Sequence, residues 1–297
     1  MSVPGGSKVC LERHRVGIGT AVALIAVLHA GCTGDAPHTG TTDAPPEAHE
    51  KLDAILWVST SPEYEAACRE IFALAEVRLE EALGDRGWTA SLEQSSDYGD
   101  LPPAVILDVD ETVLDNSAFE ARLVVEGREY GEPMWSDWVA EEAATPVPGA
   151  GDFIRSALER GVEVFFVTNR KHDTEEHTVN NLRQHFGPTI TGDKVLTRYE
   201  LPDWTSDKTS RRSYVASTHR VLLLVGDDLN DFAYSGDIPP QERIDFARQY
   251  SEYWGKKWVI LPNPMYGSWE QALYGSDRNL ERVDKIRLKR ELLDPSE

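Results

Sequence analysis

The sequence predicts an α/β fold: a doubly wound, Rossmann-like, mostly parallel sheet with a small cap region and an N-terminal helical extension. Short apolar runs at 104–110, 162–168, 220–228 and 257–262 have strand length and little polar alternation, as strands buried on both faces do. Candidate helices at 150–159, 174–186, 208–217 and 240–254 lie between and beside them. Strand and helix therefore alternate, as crossovers between parallel strands require. The first three runs also end in carboxylates, hydroxyls or amides. In such sheets ligands collect where strands end at their carboxyl side, so those residues are the first candidates for chemistry.

The elements follow in chain order. Residues 1–31 have the pattern of an export signal: Lys8, Arg13 and Arg15 form a basic stretch, 16–28 is an apolar run too short to span a bilayer comfortably, and Ala30, Gly31 and Cys32 are small. That pattern resembles a bacterial lipoprotein signal, which implies lipidation at Cys32 and a membrane-anchored body at the outer membrane, cell surface or periplasm; a plain cleaved export signal and a single uncleaved membrane anchor are the other readings, and all three place the body outside the cytoplasm. His29 stands where such a signal normally carries an aliphatic residue. Residues 32–50 are rich in Thr, Pro, Ala and Asp with no apolar period, which suits a flexible tether. Residues 51–100 are expected to supply a helical segment packing on the core. Within it Ala67, Ile71, Leu74, Ala75, Val77, Leu79 and Leu83 largely follow helical spacing after the start signal Ser61-Pro62. Residues 101–297 form the main domain, with a small cap insert at about 115–147.

Composition limits the partners. The chain has 297 residues, 40% of them hydrophobic, enough for a full core. With 51 Asp and Glu against 30 Lys and Arg, the net charge of -21 repels a polyphosphate backbone and argues against a nucleic-acid polymer as partner. A small phosphorylated substrate is compatible with that charge if a metal ion and a few cations neutralise it locally. Of three cysteines, Cys32 is the candidate anchor and Cys68 falls in a helical pattern, so no structural disulfide is expected.

The candidate chemistry lies at the strand ends. Asp108 and Asp110 follow an apolar run, and strand alternation puts them on one side, where they repel each other unless a cation intervenes. Gly226 permits a close backbone approach before Asp227, Asp228 and Asp231, whose oxygens are of the kind that Mg²⁺ prefers. Thr168 and Asn169 offer a hydroxyl and backbone N–H groups for phosphate oxygens, although a helix cap has the same composition. Lys208 stands at a helix start, within reach of a phosphate held at the sheet edge.

The order DxDxT, Thr, Lys, GDxxxD resembles the haloacid-dehalogenase superfamily. More narrowly, the stretches from Ile106 through Asp108-Val109-Asp110-Glu111-Thr112 to Asn116, and from Gly226 to Phe232, resemble the two signatures of class C bacterial acid phosphatases, the lipoprotein e(P4) or 5′-nucleotidase family. Val147-Pro148-Gly149-Ala150, Val167-Thr168-Asn169-Arg170-Lys171 and Leu261-Pro262-Asn263 extend the resemblance. Phe119 stands in place of the usual Tyr, Val109 of Ile or Leu, and Asp228 of Asn or Thr. The segment 131–138 is shorter than is typical, with Met134 where an aromatic is usual.

The resemblance implies a phosphate monoesterase acting through an aspartyl phosphate on Asp108, with Asp110 as general acid and base. It implies one Mg²⁺ per subunit, held by Asp108, the backbone carbonyl of Asp110, and Asp227, with Asp231 ordering that shell. Thr168, Asn169 and Lys208 would hold the phosphate. An aromatic clamp, here Trp135 and Tyr266 out of Phe119, Trp135, Trp138 and Tyr266, would grip a nucleoside 5′-monophosphate or nicotinamide mononucleotide. A homodimer is implied on the same ground. The competing readings are a phosphotransferase to alcohol acceptors and a catalytically silent surface-binding lipoprotein.

Overall fold

The computed structural model describes residues 49–293 except Ser96 and Arg278. The expected export signal and Cys32 lie outside the described residues, as does nearly all of the segment 32–50 expected to be a tether. Among the described residues no helix is long and apolar enough to cross a membrane.

Five parallel strands form the central sheet: β1 Pro103–Leu107, β4 Glu163–Lys171, β5 Val195–Arg198, β6 Arg220–Gly226 and β7 Trp258–Ile260, in the order β5-β4-β1-β6-β7. From β1 the chain moves outward through β4 to β5. It then returns to the other side of β1 for β6 and β7, so the strand order reverses beside β1. Reversals of this kind leave a crevice at the carboxyl ends of the strands. β5 is a fifth strand that the apolar runs do not reveal, because Val195-Leu196-Thr197-Arg198 is short and half polar.

The strands are shorter than three of the four apolar runs. β1 stops at Leu107, so Asp108 to Asp110 already belong to a turn rather than to the alternation of a strand. In that turn Val113 and Leu114 donate their N–H groups to the Val109 carbonyl at 3.0 and 2.9 Å, and Glu111 adopts a positive φ of 55°. β6 stops at Gly226 and β7 at Ile260, whereas β4 extends to Lys171.

Each face of the sheet has its own core. On one, Val105, Leu107, Val164, Phe166 and Val225 pack against α2 (Pro62–Gly84) and α5 (Ala150–Glu159) through Phe72, Ala75, Leu79, Phe153 and Ile154. Ser61 caps α2 by accepting from the Tyr64 N–H at 3.1 Å, and Pro62 occupies its first turn, where a missing N–H costs nothing. On the other face Ile106, Phe165, Val167 and Leu224 meet Val215 of α7 (Thr209–Ala216) and Phe232 of α8 (Leu229–Phe232). The helix expected over 240–254 ends sooner, as α9, Pro240–Gln249. Beyond it Tyr250, Tyr253 and Trp254 turn inward to surround Trp258, with ring centroids 4.7–5.2 Å away, and aromatic packing replaces the last helical turn.

A small lobe is inserted between β1 and α5. An antiparallel pair, β2 Leu114–Asp115 with β3 Thr145–Pro146, forms its stem. α3 Ser117–Glu126 and α4 Glu132–Ala140 lie between those two strands in sequence. Phe119 and Trp138 are buried and anchor the lobe to the core, so these two aromatics serve packing.

Candidate active site

Asp108 follows β1 directly, and its N–H still donates to the Val225 carbonyl of β6 at 2.9 Å. Its carboxylate is buried and takes a hydrogen bond from Lys208 Nζ at 2.5 Å. The same ammonium donates to Asp231 Oδ1 at 2.6 Å. Lys208, just before α7, thus bridges residues from the β1 and β6 ends. Oxygens of Asp108, Asp227 and Asp231 all lie within 4.8 Å of one another.

The loop after β6 explains how Asp231 is held. Its Oδ2 accepts from the N–H groups of Asp227 and Asp228 at 3.1 and 2.9 Å, closing a capping box with Asp228 on α8. Gly226 is required beside it, because a Cβ there would collide with the Asp231 carboxylate. Asp228, grouped in the sequence with Asp227 and Asp231 as an oxygen donor, lies outside the cluster. It accepts from Asn230 N at 3.0 Å and from the Ser268 N–H and Oγ at 2.7 and 2.6 Å, which ties α8 to the 263–268 loop.

Asp227 is buttressed separately. Asn263 Nδ2 donates to its Oδ2 at 2.8 Å and Thr112 Oγ1 to its Oδ1 at 3.2 Å. Asn263 Oδ1 in turn accepts from the N–H groups of Met265 and Tyr266 at 3.0 and 3.4 Å, linking the candidate stacking residue Tyr266 to Asp227.

The side chain of Asp110 does not join the carboxylate cluster, contrary to strand alternation, since the strand has already ended. Its Oδ1 accepts from Arg170 Nε and Nη2 at 2.9 and 2.8 Å and from Asn116 Nδ2 at 3.0 Å. Trp135 on α4 is next to this group, with the Arg170 guanidinium carbon 5.6 Å from its ring centroid and Phe119 edge-on at 5.2 Å. Thr168 is fully buried, and its hydroxyl accepts from the Arg170 N–H at 3.1 Å. Asn169 is exposed. It donates to the Ser206 carbonyl at 3.1 Å and accepts from Arg211 at 2.7 Å.

Arg170 and Arg211 are site residues to which the sequence alone assigns no role. Buried Arg211 reaches the carbonyls of Thr168 and Thr205 as well as Asn169, fastening the end of β4 to the segment that carries Lys208. Burial lowers its pKa to about 10, which leaves it charged.

The electrostatics of the cluster are unbalanced. Burial, followed by the opposing pull of Lys208 and the repulsion of Asp231 and Asp110, leaves Asp108 pushed up to about 7. Asp227 is also held well above the usual carboxylate range, first by burial and then by Asp231 and Asp108. Burial disfavours the charge on Lys208, but Asp108 and Asp231 outweigh it and raise its pKa. One ammonium against three carboxylates leaves an excess of negative charge that a divalent cation would neutralise, and clustered carboxylate oxygens suit a hard ion. The donor set therefore fits a metal.

The model of HAD superfamily subfamily IIIB (acid phosphatase) matches residues 38–269. The chain belongs to this subfamily of acid phosphatases. Its fold is similar to that of the class C acid phosphatase from Bacillus anthracis, with a TM-score of 0.73 and 31% identity over 82% of this chain and 96% of that one. A second structure of that class C acid phosphatase, with tungstate bound, matches with the same TM-score and coverage at 30% identity. The phosphatase is thus a phosphoric monoester hydrolase on a HAD-type α/β fold, and its acidic cluster stands where the strand order reverses.

Proposed function

We propose that this acid phosphatase hydrolyses nucleoside 5′-monophosphates or nicotinamide mononucleotide through an aspartyl phosphate on Asp108, with Mg²⁺ bound. The meeting of Asp108, Lys208, Asp227 and Asp231 from separate strand ends supports this reading most directly. In the first half-reaction an Asp108 oxygen bonds to phosphorus as the ester P–O bond breaks, and Asp110 gives its proton to the leaving oxygen. In the second, water attacks phosphorus, Asp110 takes the water's proton, and the bond to Asp108 breaks to release inorganic phosphate. Lys208 offsets the repulsion between the Asp108 carboxylate and the incoming phosphate, and Asn169, near the carboxyl end of the adjacent strand β4, would hold a phosphate oxygen. Thr168 would hold a phosphate oxygen there as well, since its hydroxyl accepts from the Arg170 N–H and keeps its own proton to donate.

Mg²⁺ would be held by Asp108, Asp227 and the Asp110 carbonyl, with Asp231 ordering the shell, and when bound it supplies charge neutralisation at the phosphoryl oxygens. Trp135 and Tyr266 form the candidate grip on a nucleobase or nicotinamide ring. The tungstate bound to the Bacillus anthracis enzyme is a tetrahedral oxyanion like phosphate, which supports an oxyanion-binding phosphatase here. Export, a lipid anchor on Cys32 and a homodimer belong to the same proposal. They rest on the signal pattern of residues 1–32 and on the family resemblance.

The experiment is a panel of monoesters, nucleotides against sugar and aryl phosphates, assayed for phosphate release with and without chelator. Activity lost to chelator, restored by Mg²⁺ and favouring nucleotides is expected. Chelator-insensitive turnover would remove the metal, and equal rates across the panel would remove the clamp. Phosphate recovered mainly on an added alcohol would instead mark a phosphotransferase.

A further inference from the structure

We propose that Arg170 and Asn116 clamp one carboxylate oxygen of Asp110, so that the other, Oδ2, is the atom that exchanges protons with the leaving group and with water. The inference rests on the reading of Asp110 as general acid and base.

An arginine paired with a carboxylate commonly engages both oxygens in parallel. Here Nε and Nη2 both donate to Oδ1, at 2.9 and 2.8 Å, and Asn116 Nδ2 adds a third bond at 3.0 Å. Among the described residues no donor reaches Oδ2. The carboxylate is thus fixed by one oxygen and open at the other.

The clamp is itself over-determined. The indole N–H of buried Trp138 donates to Asn116 Oδ1 at 2.8 Å, and an indole nitrogen cannot accept, so the amide cannot be reversed. Its NH₂ must face Asp110, with Glu111 Oε2 as a second acceptor at 3.3 Å. The Asn116 main-chain N–H donates to Glu111 Oε1 at 2.8 Å. Arg170 is only 1% exposed. Its remaining contacts are internal: Nη1 with Thr178 Oγ1 at 3.5 Å, Nη2 with Asn116 Oδ1 at 3.4 Å, and the guanidinium beside the Trp135 ring. It acts through Asp110 and is a positioning residue.

In the forward step the electron pair of the breaking P–O bond stays on the leaving oxygen, which takes the proton from Oδ2. In the return step the attacking water gives a proton to Oδ2 as its oxygen bonds to phosphorus and the phosphorus bond to Asp108 breaks. A misplaced Oδ2 slows the first step most for a poor leaving group, because an acidic phenol departs without a proton.

The test compares kcat/KM of the full chain and its Arg170→Met variant on glycerol phosphate and on p-nitrophenyl phosphate. This ratio reports steps up to loss of the leaving group and so excludes slow hydrolysis of the aspartyl phosphate. Proton donation is worth about 10²- to 10⁴-fold, so a fall of at least about 10²-fold is expected on the alkyl ester and less than about 10-fold on the aryl ester. Arg170→Lys, which keeps the charge but not the paired donors, should show the same bias. Equal losses on both esters, as a general packing defect would give, or no loss on either, would overturn the clamp. If Arg170→Met does not fold, Trp138→Phe keeps an aromatic side chain at this packing position and removes the indole N–H that holds the Asn116 amide. A selective loss of a few-fold on the alkyl ester is then expected, and an unselective one overturns the clamp. Asp110→Asn retaining alkyl-ester hydrolysis would instead remove the general-acid reading, a result distinct from equal losses in the arginine variant.

Discussion

Among the described residues Lys208 is the one ammonium bonded to the carboxylate cluster, held between Asp108 and Asp231 with its side chain 5% exposed. Removing one partner of a buried ion pair leaves uncompensated charge and typically costs about 3–5 kcal/mol. Lys208→Met should therefore lower the stability of the metal-free protein at neutral pH by an amount of that order, read from denaturant unfolding, and reduce turnover by at least about 10²-fold, the usual effect of deleting one stabilising donor. Asp110 behaves differently, because its carboxylate faces Arg170 and Asn116 rather than the cluster. Asp110→Asn should cut kcat by about 10²- to 10⁴-fold while Mg²⁺ affinity, measured by calorimetric titration, stays unchanged. A parallel loss of affinity would mean that its side chain is a ligand after all. The sequence exposes these aspartates because carboxylates closing apolar runs are conspicuous. It hides Arg170 and Arg211, because an arginine in a polar stretch reads as a solvated charge and arginine is rarely buried unless paired. Their partners, 60 residues away for Arg170 with Asp110 and 43 away for Arg211 with the Thr168 carbonyl, are joined only by the fold.

At the scale of elements, the turn from β6 into α8 sets the cluster's geometry. Asp231 caps its own helix with Oδ2 and meets Lys208 with Oδ1, so a shift of α8 moves the charge partner of the proposed nucleophile's lysine. Gly226→Ala places a methyl where the Asp231 carboxylate lies. Overpacking of this kind costs about 1–3 kcal/mol, and the variant is expected to lose Mg²⁺ affinity and phosphatase activity together while far-ultraviolet circular dichroism stays close to wild type. Retained metal affinity would show that α8 adjusts without disturbing the cluster. The strands of this sheet were largely legible, since β1, β4 and β6 are runs buried on both faces. β5 was not, because a short strand at the sheet edge needs few apolar residues. The segment after α2 was also opaque. Its Trp88 and Ala90 are held through main-chain groups of β6, with Trp88 Nε1 on the Leu222 carbonyl and the Ala90 N–H on the Val221 carbonyl, both at 2.8 Å, near an irregularity in the β1–β6 register. No periodicity announces such a contact.

For the molecule as a whole, the buried carboxylates couple folding to pH and to metal. Asp108 titrates near 3.8 when unfolded and at about 7 when folded, so between these values the folded state retains a proton that the unfolded state has lost. Its contribution is fully present below the unfolded value and is lost as pH rises through the folded one. Asp227 and Glu111 are displaced in the same direction, chiefly by burial. Exposed or partly exposed pairs run the other way: Glu141, held down by Arg122, and Glu163, held down by Lys194, lose stability only as pH falls below the ordinary carboxylate range, outside this window. His49, lowered by burial, also opposes the trend as pH approaches 6.5 from below, so the comparison needs an internal reference. Metal binding provides it. A divalent ion competes with protons for the same oxygens and stabilises only the folded state, by an amount that grows as its apparent affinity grows. The melting temperature of the chelator-treated chain should fall from about pH 5 to about pH 7.5, whereas excess Mg²⁺ should raise it by an increment that widens over the same interval. In Asp108→Asn, which removes one titrating carboxylate from the cluster, both the fall and the widening should shrink. A Mg²⁺ increment that is constant across the interval would mean that Lys208 alone keeps the cluster ionised, and that proton release and cation binding are not linked at this site.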